Sequence, residues 1–256
     1  MSLEKSLWLG GTDNPQAKMR LFCFPAAGGG TLAFRGWAEQ LPEHIELRPI
    51  RLPGREMRIG ESCFDEAITA ARALASGLQT YLDKPFAFFG HSMGALLAFE
   101  LTRELRRRGD PMPLTLLISG RRAPQSPLPR EYFHTLPDEQ FIDTLRTNYA
   151  GGTSEAVLQE AQLMALLMPT IRSDFALTDT YTYAPEAPLS CPIYAFGGED
   201  EREFEEAELD AWRQETTSNF SMRMFSGGHF YLNQPSQSEL LHCIGDVLET
   251  HLELHR

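Results

Sequence analysis

Short apolar, β-rich runs recur at residues 20–24, 47–52, 86–89, 114–119, 192–196 and 220–225, most of them bounded by glycine or proline. Runs of that length and composition predict strands. Between them, residues 65–82, 95–108, 205–215 and 236–252 carry apolar positions at helical spacing, which predicts helices. Strand and helix alternate, so the pattern predicts an α/β protein whose mostly parallel central sheet is flanked by helices on both faces. One interval breaks the rhythm. Residues 121–188 hold no strand pattern and two helical ones, around 137–148 and 155–180, and predict a helical insertion lying over one end of the sheet. Its apolar run at 163–168, beside Pro169, reads equally as ordinary core packing.

Composition narrows the class. The 256 residues are 42% hydrophobic and 23% charged, ordinary values for a globular chain, and the length suits one domain spanning 1–256 with the insertion inside it. No run approaches the roughly 18 apolar residues of a membrane helix. Glu4 and Lys5 interrupt the opening stretch, so no secretion signal is expected there. Cys23, Cys63, Cys191 and Cys243 are scattered without a CxxC pair; the expectation is reduced thiols in a cytoplasmic protein, with no metal site. A net charge of −12 disfavours nucleic acid and anionic membranes as partners.

The chemistry concentrates at loops that follow strands. Gly90-His91-Ser92-Met93-Gly94 stands between the apolar run 86–89 and an Ala/Leu-rich helical pattern, the strand-turn-helix setting of a nucleophile elbow. A serine hydroxyl needs a base to take its proton, and histidine titrates in the useful range. Of seven histidines, His229 in Gly227-Gly228-His229-Phe230 directly follows the last strand run, which suits the chain order serine, acid, histidine. His91 lies beside the nucleophile and is expected to support the turn. The acid is expected at Asp200 in Gly197-Gly198-Glu199-Asp200, directly after the run 192–196, with Glu199 and Glu201 as local rivals. After the run 114–119 the chain reads Gly120-Arg121-Arg122, without a carboxylate.

An acyl-transfer site also needs donors for the developing oxyanion. The Met93 amide follows the nucleophile, and a second is expected from Phe24-Pro25-Ala26-Ala27-Gly28-Gly29, at Ala26 with Ala27 in reserve. The same loop matches a dinucleotide fingerprint in Gly28-Gly29-Gly30-Thr31-Leu32-Ala33. That match lacks the acidic residue about twenty positions on that would hold a ribose; the chain reads Leu47-Arg48-Pro49-Ile50-Arg51 there.

Taken together, these segments resemble the type II thioesterases, the stand-alone editing enzymes of nonribosomal peptide and polyketide synthesis. The resemblance also covers Leu52-Pro53-Gly54-Arg55, Leu136-Pro137-Asp138 leading into Phe141, Arg172-Ser173-Asp174-Phe175 with Tyr181 and Tyr183, and Gly227-Gly228-His229-Phe230-Tyr231. It departs where the acid loop continues Glu201-Arg202-Glu203-Phe204-Glu205; relatives often carry a shorter, less acidic turn. The resemblance implies an α/β-hydrolase fold with residues 121–188 as a helical lid. It also implies hydrolysis of acyl groups from the phosphopantetheine arm of acyl or peptidyl carrier proteins, with no cofactor of the enzyme's own. Arg51, Arg55, Arg58, Arg121 and Arg122 are the expected cationic rim for such an acidic partner, and the chain is expected to act as a monomer. The alternatives are a small-molecule carboxylesterase or an acyltransferase of the same fold.

Overall fold

Alternation along the strands decides which side chains enter which layer. In β1 (Met19–Phe24) and β3 (Phe86–His91), Phe22, Phe24, Phe86 and Phe88 point to one face of the sheet, and Leu21, Cys23, Ala87 and Phe89 to the other. Both sets are fully buried, so both faces must be covered by other elements. In this computed structural model, which describes residues 7–127, 132–233 and 235–255, the remaining strands are β2 (Ile45–Pro49), β4 (Leu116–Ser119), β5 (Ile193–Gly198) and β6 (Phe220–Phe225). All six pair in parallel in the order β2-β1-β3-β4-β5-β6. Residues 1–6 of the opening stretch and 128–131 of the insertion lie outside the described residues.

Helices α1 (Ala67–Leu78) and α2 (Met93–Arg108) cover the first face, with Leu74, Leu97 and Leu101 among the side chains they bury. Helix α7 (Gln237–Leu254) and Trp37 cover the second. Between β4 and β5 come α3 (Asp138–Thr147), α4 (Glu155–Gln159) and α5 (Ala161–Asp179), and α6 (Glu206–Asp210) follows β5. The helical pattern expected over 155–180 is therefore two helices, because the chain is extended at Glu160. That over 205–215 is α6 followed by a tight turn at Ala211–Glu215. Residues 121–188 bury a cluster of their own around Phe141, Leu145, Leu158 and Phe175. Yet Leu177 and Tyr181 belong to the main core, so the end of α5 is fused to the sheet layer.

Strand order reverses between β1 and β3, which lie side by side although β2 intervenes in sequence. Two loops therefore diverge at the carboxyl ends of β1 and β3, where open α/β sheets form a binding crevice. One loop begins at Pro25 and Ala26, the other at Ser92.

Candidate active site

Ser92 stands between the end of β3 and the first residue of α2, with φ 55° and ψ −115°, a strained backbone for any residue with a Cβ. Its neighbours make the strain affordable. The Ser92 amide donates to the Ser119 carbonyl at 2.8 Å, tying the turn to β4. A Cβ on Gly90 would lie 2.2 Å from the Gly94 carbonyl oxygen, and one on Gly94 would lie 2.1 Å from that of Phe24. Both glycines are required by close approach: the first lets the turn fold back on itself, the second lets α2 press against β1.

His229, in the loop after β6, is buried, with its ring between those of His91, Tyr149 and Phe230 at centroid distances of 5.1, 5.2 and 5.1 Å. Its Nδ1 lies 2.8 Å from Glu201 Oε2. The other oxygen of Glu201 accepts the amides of Arg202 (2.9 Å) and Glu203 (3.0 Å), so the carboxylate is held from both ends. Burial alone would raise the Glu201 carboxyl, but the bond to His229, that ring's charge and the two amides outweigh it and hold the group below the usual range. The opposite nitrogen, His229 Nε2, is buried with no hydrogen-bond partner among the described residues, and Ser92 and His229 line the same cleft.

The structure places Glu201, and not the expected Asp200, against the His229 ring. The Asp200 side chain is exposed. Its amide continues the strand pairing into the Gly227 carbonyl at 2.9 Å, and the chain then reverses through a turn in which Glu201 N–H faces the Gly198 carbonyl at 3.3 Å. That reversal sends the next carboxylate back toward the histidine.

Met93 opens α2, so its amide has no partner one turn back within the helix. Ala26 follows β1, and its carbonyl accepts Gly29 N–H at 2.9 Å, curling the loop beside Ser92. The loop is also pinned from α5. Asp174, 2% exposed, accepts Gly28 N–H at 2.7 Å and a two-pronged ion pair from Arg55 at 2.8 and 2.7 Å, while Arg55 also reaches the Gly29 carbonyl at 2.7 Å. Nothing local in the sequence assigns Asp174 this role, because its partners lie more than a hundred positions away. The dinucleotide-like loop is occupied too: Glu56 accepts Thr31 N–H at 2.6 Å and the Thr31 hydroxyl at 2.9 Å. Residues 31–34 form only one short turn, so no helix N-terminus stands ready for a pyrophosphate.

Four of the five arginines expected to form a cationic rim are tied to other groups of the protein. Arg55 is buried against Asp174. Arg58 is buried, pairs with Glu61 at 2.6 Å and stacks over Trp8, and Arg51 pairs with Glu56 at 2.9 Å. Arg122 is half-buried, bound to Glu208 and to the carbonyls of Pro127 and Glu203. Arg121 points into the cleft instead. The cleft has two lobes sharing Ser92, Arg121, Tyr149 and Thr178. Leu145, Phe175 and Phe230 line the first, His229 and Glu203 the second. Among the described residues no cluster of side chains could hold a metal ion, and no helix is long and apolar enough to cross a membrane.

A parallel sheet with a strained serine at the end of a central strand and a buried histidine-carboxylate pair across the cleft defines the α/β-hydrolase fold. Residues 19–248 match the thioesterase domain family. The chain is 45% identical over 219 residues to the gramicidin S biosynthesis protein GrsT of Aneurinibacillus migulanus, covering 86% of this chain and 85% of that protein. Among solved structures it is similar to RedJ, the thioesterase of the prodiginine pathway in Streptomyces coelicolor, at 39% identity and a TM-score of 0.85, with 90% of each chain covered. It is also similar to BorB, the type II thioesterase of the borrelidin cluster, at 34% identity and a TM-score of 0.83, covering 96% of this chain and 98% of that one. The chain belongs to the thioesterase family, whose members are hydrolases.

Proposed function

We propose that this thioesterase hydrolyses acyl groups from the phosphopantetheine arm of carrier-protein domains in a nonribosomal peptide or polyketide assembly line, clearing or releasing them. The relatives from such pathways support the substrate class, and the single observation that supports the chemistry is the Glu201–His229 pair facing Ser92 across one cleft. His229 Nε2 takes the Ser92 proton as Oγ bonds to the thioester carbonyl carbon. The Met93 and Ala26 amides receive the oxyanion. Collapse breaks the carbon–sulfur bond, and the same ring returns its proton to the departing thiolate. Water then attacks the acyl-serine with His229 again as base, giving the free acid and regenerating Ser92. The route uses no cofactor beyond the arm that carries the substrate. The unpartnered Nε2 suits this cycle, since the nitrogen that must accept a proton is not committed to the protein.

The test is release of free acid from a panel of acylated carrier proteins, with matched oxygen esters alongside and Ser92→Ala as control. Expected are a higher kcat/KM on the carrier thioesters and a fall of about 10⁶-fold in kcat for the variant. Faster turnover of the oxygen esters would overturn the carrier reading, and product attached to another acceptor would make the protein a transferase.

A further inference from the structure

Arg121 leaves the end of β4 just after Gly120, and its backbone carbonyl is fixed by the indole N–H of Trp212 at 2.8 Å. Its side chain lines both lobes of the cleft together with Ser92. Nε is buried without a partner, and among the described residues the guanidinium has neither an ion pair nor a hydrogen bond. Arg121 is half-buried, and a charge held partly out of water without a partner is costly; the molecule pairs its buried arginines with carboxylates, Arg55 with Asp174 and Arg103 with Glu100.

The carboxylates of the same cleft do not bond to it directly, although the charge of Asp179 acts favourably on it. Asp179 accepts both the amide and the ring N–H of His134, at 2.9 and 2.8 Å. Glu203 accepts the Tyr149 hydroxyl at 2.7 Å, and burial pushes its carboxyl up, toward the neutral form. Burial also lowers Arg121, to about 10, which leaves it cationic at neutral pH.

Resting on the thioesterase reading above, we propose that Arg121 receives a carboxylate borne by the acyl group, so that the site takes short acyl chains ending in a second carboxyl. The planar fork of a guanidinium matches a carboxylate in a two-pronged contact. The apolar wall of Leu145, Phe175 and Phe230 accommodates the methylenes between the two ends. With the carboxylate held, the thioester carbonyl is left toward Ser92, which lines the same space.

The experiment compares succinyl and butyryl thioesters on one carrier protein, for the wild type, Arg121→Met and Arg121→Lys. Loss of a charged hydrogen-bonding pair should cut the succinyl-to-butyryl ratio of kcat/KM by between about ten- and a hundredfold in Arg121→Met, and the lysine should restore part of it. Labelling of Ser92 by a fluorophosphonate reports whether each variant keeps its site. In the wild type, free succinate should slow that labelling more than butyrate does, a readout that needs neither variant nor carrier. An unchanged ratio with Ser92 still labelled, or equal protection by the two acids, overturns the role of Arg121. Should the wild type hydrolyse neither carrier thioester, the carrier reading fails, while protection by succinate still reports the anion site.

Discussion

At the scale of single residues, the site turns on one peptide unit between Asp200 and Glu201. Both carry a carboxylate, but only Glu201 reaches His229 Nδ1, with its second oxygen locked by two amides. Such a carboxylate fixes the ring's tautomer and stabilises the imidazolium that forms when Ser92 is deprotonated. Glu201→Gln should lower kcat by about 10³- to 10⁴-fold while thioester KM changes little. Asp200→Asn should leave kcat as it is. Steady-state kinetics on one acyl thioester checks both; the reverse ranking would return the role to Asp200. The serine and histidine were legible because glycines and strand ends frame them. The acid was not, since adjacent carboxylates in an acidic loop differ only in which way the backbone turns them.

At the scale of elements, the decisive contact joins the loop after β2 and the loop after β1 to α5. Asp174 is nearly inaccessible and makes three charge-assisted hydrogen bonds, to Arg55 twice and to Gly28 N–H once. Removing one partner of a buried ion pair strands the other charge, at a cost of roughly 3–5 kcal/mol. Arg55→Met should therefore lower the unfolding free energy by that amount, read as a lower denaturant midpoint at unchanged slope. It should also reduce kcat more than KM, because the loop bearing the Ala26 amide loses its anchor on α5. A variant as stable and as active as the wild type would mean that the clasp supports neither. The helices of the insertion were readable from periodicity, and their attachment was not: a salt bridge across 119 positions leaves no trace in local spacing.

For the molecule as a whole, burial ties stability to pH. His91 is 2% exposed, bonded through Nδ1 to the Ser119 hydroxyl at 2.9 Å. Burial, with a smaller contribution from the charge of His229, holds it well below its ordinary value of 6.5. The unfolded chain takes up a proton near that value and the native one does not, so stability must fall as pH drops below about 6.5, toward the lowered native value, by up to about 1.4 kcal/mol per pH unit. His251, lowered by burial, acts in the same window. Glu201, held below its ordinary 4.5, adds a further loss below that pH as the native carboxylate is protonated. Denaturant midpoints measured from neutral pH down to about 5 should show the first slope, and His91→Gln should flatten it; an equally steep variant would assign the slope elsewhere. Also at this scale, the arginines expected to form a docking rim proved to be internal fastenings and a cleft residue, although the chain's net charge is −12.

The layered α/β architecture, the elbow at Ser92 and the histidine after β6 are all written in the amino-acid order. These depend on periodicity, on glycines demanded by close approach and on chain order, all of which are local. Long-range packing alone settled which of two neighbouring carboxylates meets the histidine, which arginines are consumed in holding loops together, and which one lines the cleft with the serine. Those outcomes depend on the direction of a turn and on partners a hundred residues away, and a side chain's charge is the same whether it ends at a surface, in an ion pair or in a cleft.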